Sequence, residues 1–216
     1  VRPSTHAIIE KLYEGFIEKF NAHLMQYPYL LGGKPCLGDF GLMCPLYGHL
    51  GRDPVPHRLL QMRGPWIHRW VERMNRPEPD TGEYINLPHS FLQDDEVPET
   101  IIELLTHFAL DFVPETIASH SGINRWLEEN KPAIGAQCER YAGEAEFDVE
   151  GTTIHVFPQP FRFYLLERVQ SAIQALKGSD QADALALLDT CNMTAVLDLK
   201  LDRKIGRANN LEVWLD

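Results

Sequence analysis

The sequence predicts a mainly helical fold that closes with a small β-hairpin and further helix. Three observations predict it. Apolar residues recur at helical spacing over long stretches, as in Ile8, Ile9, Leu12, Tyr13, Phe16, Ile17, Phe20 and Leu24, with Glu10, Lys11, Glu14, Glu18 and Lys19 on the other face. Glycine and proline punctuate the chain where these stripes stop. Strand character falls late, where Glu146 to Val149 and Thr152 to Val156 flank Glu150-Gly151, a hairpin turn sequence.

The first helix is expected from Thr5 to Gln26, with Pro28 helping to stop it. A second begins near Leu37 and carries Leu37, Phe40, Met43, Leu46, Tyr47 and Leu50, bent at Pro45. Residues 51–56, GRDPVP, read as a loop. Pro65 suits the first position of a third helix, where its missing N–H is harmless, and Ile67, Trp70, Val71 and Met74 form its buried stripe. Residues 76–96 are rich in Pro, Asp, Glu and Gly and read as a long surface connection. Pro98 opens a strongly apolar helix that Pro114 kinks or ends. Ser121-Gly122 marks a break before a short helix, or a continuation, from Ile123 to Asn130.

The character changes near Gly143. After the hairpin comes a helix from Phe161 to Leu176, with Gly178 as its C-terminal cap. Asp180 is placed to cap a short helix from Gln181 to Asp189, and residues 210–215 read as a strand beside the hairpin. The division drawn is a helical domain at 1–140 and an appended hairpin-plus-helix segment at 141–216.

Bulk composition bounds the function. The chain has 216 residues, 44% hydrophobic and 24% charged, ordinary for a soluble globular protein, and a net charge of −11. That acidity argues against non-specific nucleic-acid or anionic-membrane binding. Cys36, Cys44, Cys138 and Cys191 are scattered, as expected of reduced thiols in a cytoplasmic protein. No apolar run approaches the ~18–20 residues of a membrane span, and no signal peptide is read. The chain opens on Val1 rather than Met and is read as part of a longer protein. No HExxH, CxxC, G-x-S-x-G or phosphate-binding glycine loop occurs, so the nine histidines are read as isolated side chains and no metal is expected. Arg69, Arg73 and Arg76 lie along one helix near His68, either as a solvated face or as a binder of carboxylate or phosphate.

The densest signal is residues 27–40, YPYLLGGKPCLGDF: a helix exit, a glycine turn and a helix entry. Gly32 and Gly33 admit positive φ. Cys36-Leu37-Gly38-Asp39 occupies a capping box, in which Asp39 reaches back to the N–H of residue 36. Cys36 is a weak acceptor at the cap, a position whose loss of a good oxygen costs roughly 0.5–2 kcal/mol. Asp39 is therefore read as a structural cap, and Cys36 as its partner rather than a nucleophile.

This stretch resembles the C-terminal, all-helical domain of glutathione transferases, whose "YLLG" turn precedes Ser/Thr-x-x-Asp at the start of a central buried helix. Gly64 to Met74, GPWIHRWVERM, resembles that family's next helix. Cys36 departs from the pattern. The two motifs cover about the first third of the chain. The resemblance implies a helical bundle of that type and a role on the co-substrate side of thiol conjugation, or thiol transfer, to a small hydrophobic electrophile. Glutathione and the activating residue would belong to a thioredoxin-like domain outside this chain, so no catalytic or cofactor-binding residue is assigned within it. Phe40, Met43 and Tyr47 are the residues expected to face the co-substrate, and a homodimer is a further expectation. The alternative is a non-catalytic protein-interaction module using the same helical fold.

Overall fold

A computed structural model describes residues 2–78 and 82–216. Among the described residues the chain is mainly helical, with two small two-stranded sheets towards its C-terminal end. Its elements are α1 (His6–Leu24), α2 (Leu37–Pro45), α3 (Pro54–Arg63), α4 (Pro65–Met74), α5 (Glu99–Asn130), β1 (Ala145–Val149), β2 (Thr152–Val156), α6 (Pro160–Ala175), α7 (Ser179–Thr190), β3 (Ile205–Ala208) and β4 (Leu211–Trp214). Two compact units result: Ile9–His107, and Val1–Ile8 with Phe108–Asp216. The divide falls inside α5, whereas composition placed a change of character near Gly143.

The 9–107 unit is built on the apolar stripe of α1. Phe16, Ile17, Phe20 and Leu24 are buried, and Phe20 meets the Trp70 ring edge-on at 5.1 Å between centroids. Ile67, Trp70 and Val71 of α4 are buried as expected, while Met74 is only half-buried. The loop expected at 51–56 stops early, because Pro54 is the first residue of α3, a helix the sequence reading lacked. The expected connection at 76–96 is pinned to the glycine turn: Leu92 donates to the Leu31 carbonyl at 3.0 Å and Gly33 to that of Ser90 at 2.8 Å. Its residues 79–81 lie outside those described.

His23 lies fully buried in this unit. Its Nε2–H donates to the Tyr29 carbonyl at 3.1 Å and its Nδ1 accepts from the Thr100 hydroxyl at 2.8 Å. Burial pulls its pKa from 6.5 down to about 4, against a smaller upward pull from the Tyr29 bond. The unfolded chain takes up the proton first, so this stability is complete above about pH 6.5 and is lost as pH falls through the native value. The expected loss is about 2–3 kcal/mol by pH 4, read as the difference in urea midpoints between the parent and His23→Gln across that window. Parallel pH profiles for the two proteins would refute the assignment.

In the other unit, α5 runs on past Pro114, so that proline does not end it, and past Gly122, where a break was expected. Proline removes one hydrogen bond, which a long packed helix tolerates. Gly122 is there for close packing: a Cβ would stand 3.0 Å from the Glu144 carbonyl oxygen and 3.3 Å from the Ala145 Cβ. The hairpin β1–β2 forms in the expected register around Glu150-Gly151, both with positive φ (49° and 79°). The C-terminal strand pairs differently from expectation. β4 joins β3, not the β1–β2 hairpin, through an Asn209-Asn210 turn with φ of 51° and 64°. Asparagine tolerates that conformation, so the chain reverses locally before it can reach the earlier hairpin. Gly178, with φ of 60°, precedes α7 as its cap residue, and Asp180 lies within the helix. The core here gathers Ile123, Leu127, Ala142, Phe163, Ile205 and Trp214.

Candidate functional site

The turn at residues 27–40 organises the 9–107 unit around one buried carboxylate. Asp39 has no exposed surface. It accepts from the Cys36 N–H at 2.9 Å, the Leu30 N–H at 3.2 Å and the Trp70 indole N–H at 3.2 Å. The reciprocal half of the capping box is also in place, with the Asp39 N–H directed at the Cys36 sulfur. One side chain thus ties the glycine turn, the start of α2 and the middle of α4 together. The turn itself needs glycine: Gly32 has φ of 109°, and a Cβ on Gly33 would overlap the Pro88 carbonyl oxygen. Burial first, then the charge of Asp39, push the Cys36 thiol above its ordinary value, partly offset by hydrogen bonds to it. A thiol held protonated is a poor nucleophile. Burial likewise pushes the Cys138 thiol up to about 12.

The three residues read as co-substrate contacts part company on α2 and the turn that follows. Phe40 is 58% exposed, and Met43 and Tyr47 are half-buried. Pro45 lacks the N–H of a regular ladder, and the chain continues from it as a wide π-helical turn over Leu46–Leu50. The Gly51 N–H closes that turn onto the Leu46 carbonyl at 2.6 Å. This turn carries Tyr47 to the rim of a cleft of about 360 Å³, which neither Phe40 nor Met43 lines.

Three elements meet at the cleft. The π turn and the loop after it bring Tyr47 and Arg52, α3 brings His57, and α4 brings His68 and, one turn on, Glu72. Leu60 and Val71 are its buried apolar lining. The Arg52 guanidinium carbon lies 4.4 Å from the centre of the Tyr47 ring. The imidazoles of His57 and His68 stand 5.2 Å apart between centroids, and Asn75 donates to the Tyr47 hydroxyl at 3.5 Å. Chemically the cleft offers one fixed cation, one fixed anion, two imidazoles and two neutral polar groups over an apolar base.

Spacing alone leaves His57 and His68 isolated, because no metal-ligand motif joins them, and the loop expected at 51–56 hides the start of α3. The signal available was Asp53 followed by Pro54, a helix-start pattern, which places His57 and Leu60 three apart on one face. Of Arg69, Arg73 and Arg76, the first two are engaged outside the cleft. Arg69 pairs with Glu83 at 3.1 Å and lies over the Trp66 ring, and buried Arg73 donates to the Pro28 carbonyl at 2.9 Å between the rings of Tyr29 and Tyr84. Among the described residues, no group of three or more His, Cys, Asp or Glu side chains is placed to hold a metal ion, and no helix is long and apolar enough to cross a membrane. No family model, curated protein or solved structure matches this chain.

Proposed function

We propose that this chain carries the helical, co-substrate-side domain of a glutathione-transferase-like protein and works joined to a thioredoxin-like domain that binds glutathione. The reaction of the joined protein is conjugation, or thiol transfer: the glutathione sulfur forms a bond to the electrophilic carbon as the leaving group departs. Residues of the helical domain contribute by positioning the apolar partner against the thiolate. The observation that carries this reading is the Asp39 node, where the residue of the Cys36-to-Asp39 box is buried at the start of α2 and bonded to Trp70 of the next motif. Phe40, Met43 and Tyr47 are the proposed apolar contacts, and the exposed ring of Phe40 leaves surface for one.

A conjugation assay on the full gene product, with glutathione and chlorodinitrobenzene, tests this. Turnover is expected, with chloride released as the C–S bond forms. Phe40→Ala and Tyr47→Ala should raise KM severalfold for the electrophile and leave that for glutathione unchanged. A full-length product that neither turns over nor is retained on immobilised glutathione sinks the enzyme reading. A second reading is then a protein-interaction module. An open apolar groove of about 290 Å³ in the 108–216 region, rimmed by Leu165 (46% exposed) and Val169 (53% exposed) of α6, favours it.

A further inference from the structure

From Tyr47 to Arg76 six arginines stand against two acidic residues, in a chain whose net charge is −11. Much of that positive charge is engaged within the fold. Arg63 pairs with Glu14 at 2.7 Å, Arg69 with Glu83, and Arg73 with the Pro28 carbonyl. Arg52 is different. Its contact is the face of the Tyr47 ring, and among the described residues it has no carboxylate partner. It opens on the same cleft as His57 and His68, whose ring nitrogens have no hydrogen bond among the described residues.

We propose that this cleft binds a small metabolite bearing an oxyanion, a phosphate ester or a carboxylate, through Arg52, His57 and His68. A guanidinium matches either group with two parallel N–H donors, and stacking on Tyr47 holds its plane in advance of binding. Each imidazole has at least one ring N–H to donate. Buried Leu60 and Val71 give the cleft an apolar base on which the carbon skeleton of the ligand packs. Glu72 faces the same cleft and repels an oxyanion placed beside it. The oxyanion therefore sits at the Arg52 side, and Glu72 accepts from a hydroxyl or ammonium elsewhere on the ligand. The volume of about 360 Å³ falls at the lower end of the roughly 300–1,000 Å³ of small-molecule sites. The cleft shares Tyr47 with the co-substrate contacts proposed above, but oxyanion binding through Arg52, His57 and His68 needs no conjugation chemistry and stands if the chain proves non-enzymatic.

The test is an amide NMR titration of this chain with glycerol phosphate and with lactate, which pair a hydroxyl with one or the other oxyanion. Sodium chloride at matched ionic strength is the control. Saturable shifts are expected at Gly51, Arg52, His57 and His68, and the probe that saturates at lower concentration names the oxyanion. Arg52→Gln should weaken binding about tenfold, the effect of losing one charge-assisted contact. Arg52 is exposed, so the variant should fold. Arg63→Gln, which removes an engaged arginine, should leave binding unchanged. The proposal is overturned if neither probe gives saturable shifts, if chloride reproduces them, or if Arg52→Gln binds as the parent does.

Discussion

Replacing Asp39 with alanine is expected to lower the unfolding free energy by about 3–5 kcal/mol, the largest effect of any single polar change in the 9–107 unit. The variant would strip the acceptor from the N–H groups of Cys36, Leu30 and Trp70 at once, at a site with no access to water. A buried donor left without a partner forfeits its desolvation, and here the donors sit on three separate segments. Urea titration measures the loss. A variant that unfolds at the parent's midpoint would show that the node is not a structural anchor. Asp39→Asn keeps an oxygen for Leu30 and Trp70 but turns an amide towards the Cys36 N–H, and should cost about half as much. Trp70→Phe removes the indole donor, so its effect and that of Asp39→Ala should be non-additive in a double-mutant cycle.

The Asp39 carboxyl also sets a pH signature. Burial raises its pKa, and the bonds from Cys36, Leu30 and Trp70 pull it back only in part. The folded chain then holds the proton more tightly than the unfolded one. Its contribution is greatest below the unfolded value and declines as pH rises through the native one. The stability gap between the parent and Asp39→Asn should therefore narrow as pH climbs out of the acid range. A widening gap would mean that the hydrogen bonds outweigh burial.

Trp214→Ala should destabilise the chain by about 3–5 kcal/mol through the cavity it leaves. Trp214 is fully buried and stacks on Trp126 with ring centroids 6.0 Å apart. Its indole N–H donates to Glu139 at 3.2 Å, and its backbone N–H donates to Ala136 at 2.9 Å. The last strand is thereby fastened to residues 135–138, which also bond back through the Gly135 N–H to the Trp214 carbonyl and the Cys138 N–H to that of Glu212, each at 2.8 Å. Urea titration should show the loss, and native-state hydrogen exchange should show the Cys138 and Trp214 amides losing protection. Trp214→Phe should retain most of the packing and cost less. If alanine at this position left the urea midpoint unchanged, the region after Gly135 would not be held by Trp214.

Legibility followed the range of the forces. The stripes of α1 and α4, the capping box at residues 36–39 and the Glu150-Gly151 turn are local patterns within a few residues, and each formed as read. Helix α3 was missed because its two prolines resemble a loop, although proline at a first helical position is harmless. The break expected at Gly122 failed because that glycine answers a neighbour twenty-two residues away, the Glu144 carbonyl, and not a local turn. Of the residues that line the cleft, Tyr47 is one the sequence marks as facing a co-substrate, and Arg52, His57, His68 and Glu72 are not so marked. Arg52, His57, His68 and Glu72 come from three elements, and no spacing in one stretch of chain encodes their meeting.

By itself, the sequence determined the helical class, the position of most helix starts, the glycine turn with its Asp39 cap, and the acidic balance that disfavours polyanionic partners. These depend on backbone geometry, side-chain periodicity and charge count, which neighbouring residues set among themselves. Only the tertiary structure decided that Asp39 reaches Trp70, that β4 turns back on β3, that Arg69 and Arg73 are consumed by internal contacts, and that Arg52 shares a cleft with His57 and His68. Each of these depends on which distant groups burial brings together, because a buried donor or charge takes whatever partner the packed chain presents to it.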